Sequence, residues 1–208
     1  MPNSCHRQRK KNIMTKLNLK LTVYSLILLG LWGCTSYTPK PHGYPRIDFP
    51  EREYQTFDPD CSFSFEIPTY ARMYRDTHER AEPCWYNMTF PVFDATLYLS
   101  YKAVNSPEHL DTLSEEAYKL AMKNNIKADV INETEILDTS SGNFGILYDL
   151  YGETATPFNF YITDRKDHYI RGAFYFNEHT KTDSVAPIFD FIKDDLLHLI
   201  NTLEWKAN

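Results

Sequence analysis

The sequence lacks an apolar run of the length that crosses a bilayer, about 20 residues. Its most apolar stretch, residues 21–31 (LTVYSLILLGL), has eleven and spans roughly 16 Å as a helix. It is also short of basic charge. With 22 Lys/Arg against 28 Asp/Glu the net charge is −6, which excludes a nucleic-acid binder that needs a basic face. Glycine is scarce at seven, and the twelve prolines follow no period, which excludes collagen-like and linker polymers. None of the seven histidines forms an HxH or HExxH pair, so zinc-hydrolase signatures are missing. No G-x-S-x-G nucleophile elbow occurs, and no Walker lysine follows Gly142-Asn143-Phe144-Gly145. Catalytic, metal and cofactor residues are therefore assigned as none. What remains is 208 residues with 42% apolar and 15% aromatic side chains, enough for the core of one ordinary domain.

Charge divides the chain. Residues 1–33 carry Arg7, Arg9, Lys10, Lys11, Lys16 and Lys20 and no acid, which leaves a net of −12 from residue 34 onward. A basic flank, a short apolar run and small residues at its end form a secretory signal. Leu31-Trp32-Gly33-Cys34 then resembles the lipobox of bacterial lipoproteins, in which the cysteine is acylated and becomes the new N-terminus. Gly33 suits the peptidase pocket; Trp32 is bulkier than usual there. The competing reading is an ordinary signal with an incidental cysteine. Met14 opens a complete signal of its own, so Met1 and Met14 are alternative starts. The expected organisation is a cleaved signal over 1–33, an extended Pro39- and Pro41-stiffened tether over 34–45, and a globular domain over 46–208. No Asp or Glu lies between Cys34 and Asp48, which leans towards a domain facing the periplasm.

With Cys5 outside the mature chain and Cys34 acylated, Cys61 and Cys84 remain. An even remainder in an exported chain reads as a disulfide. The alternative, metal-binding or catalytic thiols, lacks a CxxC spacing and any nearby histidine except His78.

Period-two alternation predicts strands over 62–67 and 96–101, with another over 85–90. Ser106-Pro107 starts a helix, carried by Leu110, Leu113, Ala117, Leu120 and Ala121 and closed by Asn124-Asn125. Strands over 127–137, 144–151, 158–163 and 169–176 follow, with short connections among the last three that force antiparallel pairing. A last helix, capped by Asp183 or Ser184, buries Val185, Ile188, Phe189, Ile192, Leu196, Leu199, Ile200 and Leu203. The expected class is α+β, a single domain with a mainly antiparallel sheet and two main helices. Its order of elements resembles PsbP-like domains, a likeness of fold that says nothing of activity.

Two clusters invite a functional reading. Asp190, Asp194 and His198 share a helix face at i, i+4 spacing, either a metal or catalytic set or a solvated acidic surface. Tyr148, Tyr151, Tyr161, Tyr169 and Tyr175 crowd three adjacent strands. With the helices on one sheet face, the other would present these tyrosines to a partner or a glycan; otherwise the helices and the N-terminal segment cover them. Asp183-Ser184-Val185 and Asp111-Thr112-Leu113 fit a short O-glycosylation pattern, and each also has a helical explanation.

One family carries the same stretches in the same order: Pro39-Lys40-Pro41 with residues 43–48 (GYPRID), Ala81-Glu82-Pro83-Cys84-Trp85, Leu99-Ser100-Tyr101, Gly145-Ile146-Leu147-Tyr148-Asp149, Arg171-Gly172-Ala173-Phe174-Tyr175-Phe176 and Leu203-Glu204-Trp205-Lys206. On these the chain resembles GldD, the gliding motility lipoproteins of the Bacteroidota. The resemblance implies a non-enzymatic lipid-anchored component needed for gliding and linked to type IX secretion, whose partners are other envelope proteins of that apparatus and the membrane. It transfers Cys34, Cys61 and Cys84, and brings no catalytic residues. The alternative is a glycan- or lipid-binding envelope lipoprotein that uses the aromatic sheet face.

Overall fold

Alternation and helical periodicity sort the chain into ten strands and two helices among the residues that a computed structural model describes, 47–123, 128–152, 154–177 and 182–206. The strands are β1 (Tyr54–Phe57), β2 (Phe63–Pro68), β3 (Arg72–Arg75), β4 (Tyr86–Phe90), β5 (Ala95–Ala103), β6 (Ala128–Asp138), β7 (Asn143–Gly152), β8 (Phe158–Thr163), β9 (His168–Phe176) and β10 (Glu204–Trp205). The helices are α1 (Pro107–Lys123) and α2 (Thr182–Asn201). A seven-stranded sheet runs β3-β4-β5-β9-β8-β7-β6, and a smaller one runs β1-β2-β10. Every pairing is antiparallel. The class is α+β, as the order of elements predicts.

Helix α1 begins as its sequence dictates. The Ser106 hydroxyl accepts from the His109 backbone N–H at 3.2 Å, an N-cap bond, and Pro107 takes the first helical position. Leu113, Ala117 and Ala121, four apart, are its buried face. Helix α2 begins at Thr182, which places Asp183 and Ser184 in its first turn. Asn124 and Asn125 lie outside the described residues.

The helices lie on opposite faces of the large sheet. Along β9, Ile170 and Phe174 pack with Phe160, Leu97, Ile192 and Leu196 in the main core. Their neighbour Tyr169 packs instead with Leu113 of α1. Adjacent strand residues point to opposite faces, so α2 and the small sheet cover one face and α1 covers the other. Of the two arrangements left open by the sequence, helices on one face or helices covering the tyrosine-rich strands, this alternation selects a helix on each face. Gly172 marks how tightly the main core closes, since a Cβ there would overlap the Phe160 ring.

Candidate functional site

The N-terminal segment is fastened to α2 by a buried carboxylate. Asp195 has no exposed surface. Its Oδ1 accepts the Tyr54 hydroxyl at 2.7 Å, its Oδ2 accepts the Tyr70 hydroxyl, and Arg52 Nε lies 3.6 Å from Oδ1. A buried charge is tolerated when it is paired and hydrogen-bonded, and two hydroxyl donors with one ion pair meet that requirement. Arg52 Nη2 also donates to Asp194 Oδ2 at 2.8 Å and to the Phe191 carbonyl at 3.0 Å. The guanidinium carbon lies 4.5 Å from the centre of the Phe191 ring, and Phe49 stacks on that ring. Tyr54 stacks on His198 with ring centres 3.7 Å apart, while His198 Nε2 meets Glu66 Oε2 of β2 at 2.6 Å.

Local sequence places these groups. Tyr54 opens β1, paired with Pro68 at the end of β2, and a turn closed by Ala71 N–H on the Pro68 carbonyl brings Tyr70 back beside it. Burial, and then the bond to Asp195, raises the Tyr54 phenol to about 12. The same causes raise Tyr70 further. Burial pulls Arg52 down, but Asp194 and Asp195 outweigh it and the net shift is upward. Both phenols therefore remain donors at neutral pH, and neither is suited to act as a general base there. The arrangement is a fastening.

A second fastening lies at the other end of β2. Cys61 and Cys84 form a disulfide, which joins the start of β2 to the start of β4. Trp85 Nε1 donates to the Tyr101 carbonyl at 2.9 Å, and Glu82 pairs with Lys102. At the C-terminus β10 pairs with β2, Leu203 is fully buried, Trp205 stacks on His168, and Lys206 donates to the Pro59 carbonyl at 2.6 Å.

Asp190, Asp194 and His198, left open as a metal or catalytic set or a solvated acidic surface, are engaged separately. Asp194 is taken by Arg52 and His198 by Glu66 and Tyr54, whereas Asp190 is exposed. Among the described residues no group of three or more His, Cys, Asp or Glu could hold a metal ion. Of the five tyrosines, Tyr148 and Tyr169 are each only 2% exposed. This corrects their expected place on a partner surface, and the cause is α1, which covers them together with part of Tyr161. Tyr175 is half-buried beside Tyr98. Tyr151, on the opposite face, remains exposed and donates to Asp149 at 2.9 Å. Cys34, Leu31, Trp32 and Gly33 lie outside the described residues. Asp195 escaped sequence reading because it falls next to the acidic face of α2. The signal that could have found it is its place one residue before Leu196 and four before Leu199, on the edge of the buried stripe.

The chain matches the family described as gliding motility lipoprotein GldD over residues 34–205. It belongs to that family. A GldD-family member is a membrane-anchored lipoprotein of the cell envelope, and the matched region contains both fastenings. No helix among the described residues is long and apolar enough to cross a membrane. No curated protein matches the chain in sequence. Among solved structures it is similar to "Solution Structure of Cyanobacterial PsbP (CyanoP) from Synechocystis sp. PCC 6803", at 12% identity over 80% of this chain and 99% of that one, with a TM-score of 0.49. The α+β class itself rests on the strand pairing.

Proposed function

We propose that this GldD-family chain is cleaved after Gly33, acylated on Cys34, and tethered through residues 34–45 so that the folded part works beside a membrane through protein contacts, not turnover. The partners are other envelope proteins of the gliding and type IX secretion apparatus, and the folded part faces the periplasm. The observation that carries this reading is the double fastening of the N-terminal segment. A component held by a lipid receives any load from the membrane where its tether enters the fold. In this chain Phe49, Arg52 and Tyr54 tie that entrance to α2, and the disulfide ties the next strand to the large sheet. Acylation supports stable anchoring when two or more chains are attached, and confinement to a membrane raises the effective concentration of weak partners.

The test is Cys34→Ala in living cells. The variant is expected to leave the membrane fraction, and spreading motility is expected to fall. In-cell crosslinking of the wild type is expected to capture other envelope components of the apparatus. Membrane retention and spreading equal to wild type would overturn the reading.

A further inference from the structure

The seven-stranded sheet ends in two unlike edges. At one, β3 has four residues, and its Arg72 and Arg75 are exposed. At the other, β6 runs for eleven residues, and among the described residues no strand pairs with its outer side. Antiparallel pairing turns the N–H and C=O of alternate residues outward along such an edge, and folded proteins usually blunt it by shortness, proline, a bulge or a covering segment. β6 has no proline, and its one irregularity lies at its start, between Ala128 and Val130. Residues 131–137 run in unbroken register with β7. Charge is the device that remains. β6 carries Asp129, Glu133, Glu135 and Asp138 and no basic residue. Glu133 stands opposite Tyr148 and Glu135 opposite Ile146, on the sheet face that α1 covers. That helix adds four acids against Lys119 and Lys123, and Lys119 is taken by Glu115. Both Glu133 and Glu135 are exposed, and among the described residues no ion pair engages either. Alternation sets them in line with exposed Leu137.

We propose that residues 131–137 are a docking edge, which takes as a further strand of the sheet an extended segment of a partner protein with basic side chains at alternate positions. The proposal rests on the protein-contact reading above and gives it a place. In strand addition the main-chain hydrogen bonds supply affinity and alternate side chains supply selection. Here one face asks for cations against Glu133 and Glu135 and for an apolar side chain against Leu137. Beside Leu137 lies a hollow of about 480 Å³ between α1 and the sheet, with Leu110, Phe144 and Ile146 in its walls. Asp111 and Glu135 line it against Arg165, whose guanidinium carbon lies 3.8 Å from the centre of the Phe144 ring, so its charge balance is also negative. Occupants from this chain fit worse. The tether, with Pro39, Pro41 and Pro45, lacks N–H groups that a strand must offer. A second β6 set antiparallel about Thr134 brings Glu133 against Glu135, like charges directly opposite. The β3 edge of a second copy has four residues, and Arg72 and Arg75, three apart, point to opposite faces. It offers one cation to two acids.

The experiment uses the full-length protein in detergent and a fluorescein-labelled heptapeptide, Leu-Thr-Lys-Thr-Lys-Thr-Val, with its C-terminus amidated. An isomer, Leu-Thr-Thr-Lys-Lys-Thr-Val, keeps the charge and loses the alternation. Wild type is expected to bind the alternating peptide roughly threefold or more tighter than the isomer, because two cross-strand charge pairs replace one. The double variant Glu133→Gln/Glu135→Gln is expected to lose roughly fivefold in affinity together with the preference. Glu51→Gln/Glu53→Gln makes the same change of charge at two other exposed acids and is expected to keep both. Hydrogen exchange is expected to slow at alternate amides of residues 131–137 when the alternating peptide is bound, and to stay unchanged in β3. The proposal is overturned by absent binding of the alternating peptide, by equal binding of the two peptides to wild type, or by equal losses in the two double variants. Slowed exchange outside β6 in its place would overturn it as well. Protection of those amides without peptide would give the edge to another part of this chain, and self-association weakened by Glu133→Gln/Glu135→Gln would give it to a second copy; either result overturns the proposal. Should a variant not fold, the wild-type comparison still decides. Failure here together with intact membrane retention and crosslinking of wild type sinks the docking edge and leaves the broader reading standing; loss of those as well sinks both.

Discussion

Removing the carboxylate of Asp195 should loosen the N-terminal segment more than any other single change at the surface of α2. In Asp195→Ala the hydroxyls of Tyr54 and Tyr70 lose their acceptor in a place where both are partly shielded from water. Hydrogen bonds to a charged group are worth about 1.5–3 kcal/mol each, and breaking a buried charge network from one side costs about 3–5 kcal/mol. Asp195→Asn keeps the shape and one acceptor oxygen. It gives up charge assistance to two phenols but escapes the desolvation of a carboxylate, so a loss of about 1–2 kcal/mol is expected. Arg52 contributes less, because its guanidinium is 37% exposed and its closer partner, Asp194, is 60% exposed; such pairs are worth about 0–1 kcal/mol. Urea unfolding followed by circular dichroism should show the midpoint falling in the order wild type, Asn, Ala with an unchanged slope. Hydrogen exchange should show lost protection in β1 before any change in β8 or β9. An Asp195→Ala midpoint equal to wild type, or loss of protection spread evenly over the large sheet, would refute the assignment of Asp195 as the fastening.

Reduction of the Cys61–Cys84 bridge, which closes a sequence separation of 23, should lower stability by about 3 kcal/mol; reactivity of Cys61 and Cys84 with a thiol reagent in denaturant without reductant would contradict the bridge. Gly172→Ala places a methyl against the Phe160 ring and should cost about 1–3 kcal/mol or more, so a variant of wild-type stability would show that the ring moves freely. Alkaline pH supplies a third test. The Tyr54 phenol is raised from 10.0 to about 12, so its contribution is full below the unfolded value and is lost as pH rises through the folded value. Stability should therefore fall between pH 10 and 12, with the tyrosinate absorbance of Tyr54 and Tyr70 withheld until unfolding alongside that of Tyr148 and Tyr169, whose phenols burial also raises. Titration of Tyr54 and Tyr70 at the ordinary tyrosine value in the native state, read as the difference between wild type and the Tyr54→Phe and Tyr70→Phe variants, would contradict the bonds to Asp195.

Elements with a clean period were legible in the sequence. Strands β2, β5, β8 and β9 alternate because one face or both meet the core, and α1 and α2 repeat at three and four residues because each covers one face of a sheet. Three short strands were not legible. β1 and β3 have exposed positions on both sides of the chain, and β10 has only two residues; each exists because a partner strand offers hydrogen bonds, which no local pattern records. β6 has a weak period for a related reason, since it is a sheet edge with most side chains in water. The side of the sheet taken by α1 was equally hidden. Four-residue spacing shows that a face is buried, not against which sheet surface, and that choice removed Tyr148 and Tyr169 from the candidate surface.

The same distinction separates Asp195 from Asp194. Side by side on α2, they differ in nothing that composition or charge can express. A rotation of about 100° per residue along the helix turns one outward to Arg52 and places the other under Tyr54 and Tyr70. Both partners come from a segment more than a hundred residues earlier in the chain. The role of a helical acid is thus decided by what packs over it. For this chain the packing is supplied by Arg52, Tyr54 and Tyr70, so the attachment of the segment that carries them and the burial of Asp195 stand or fall together.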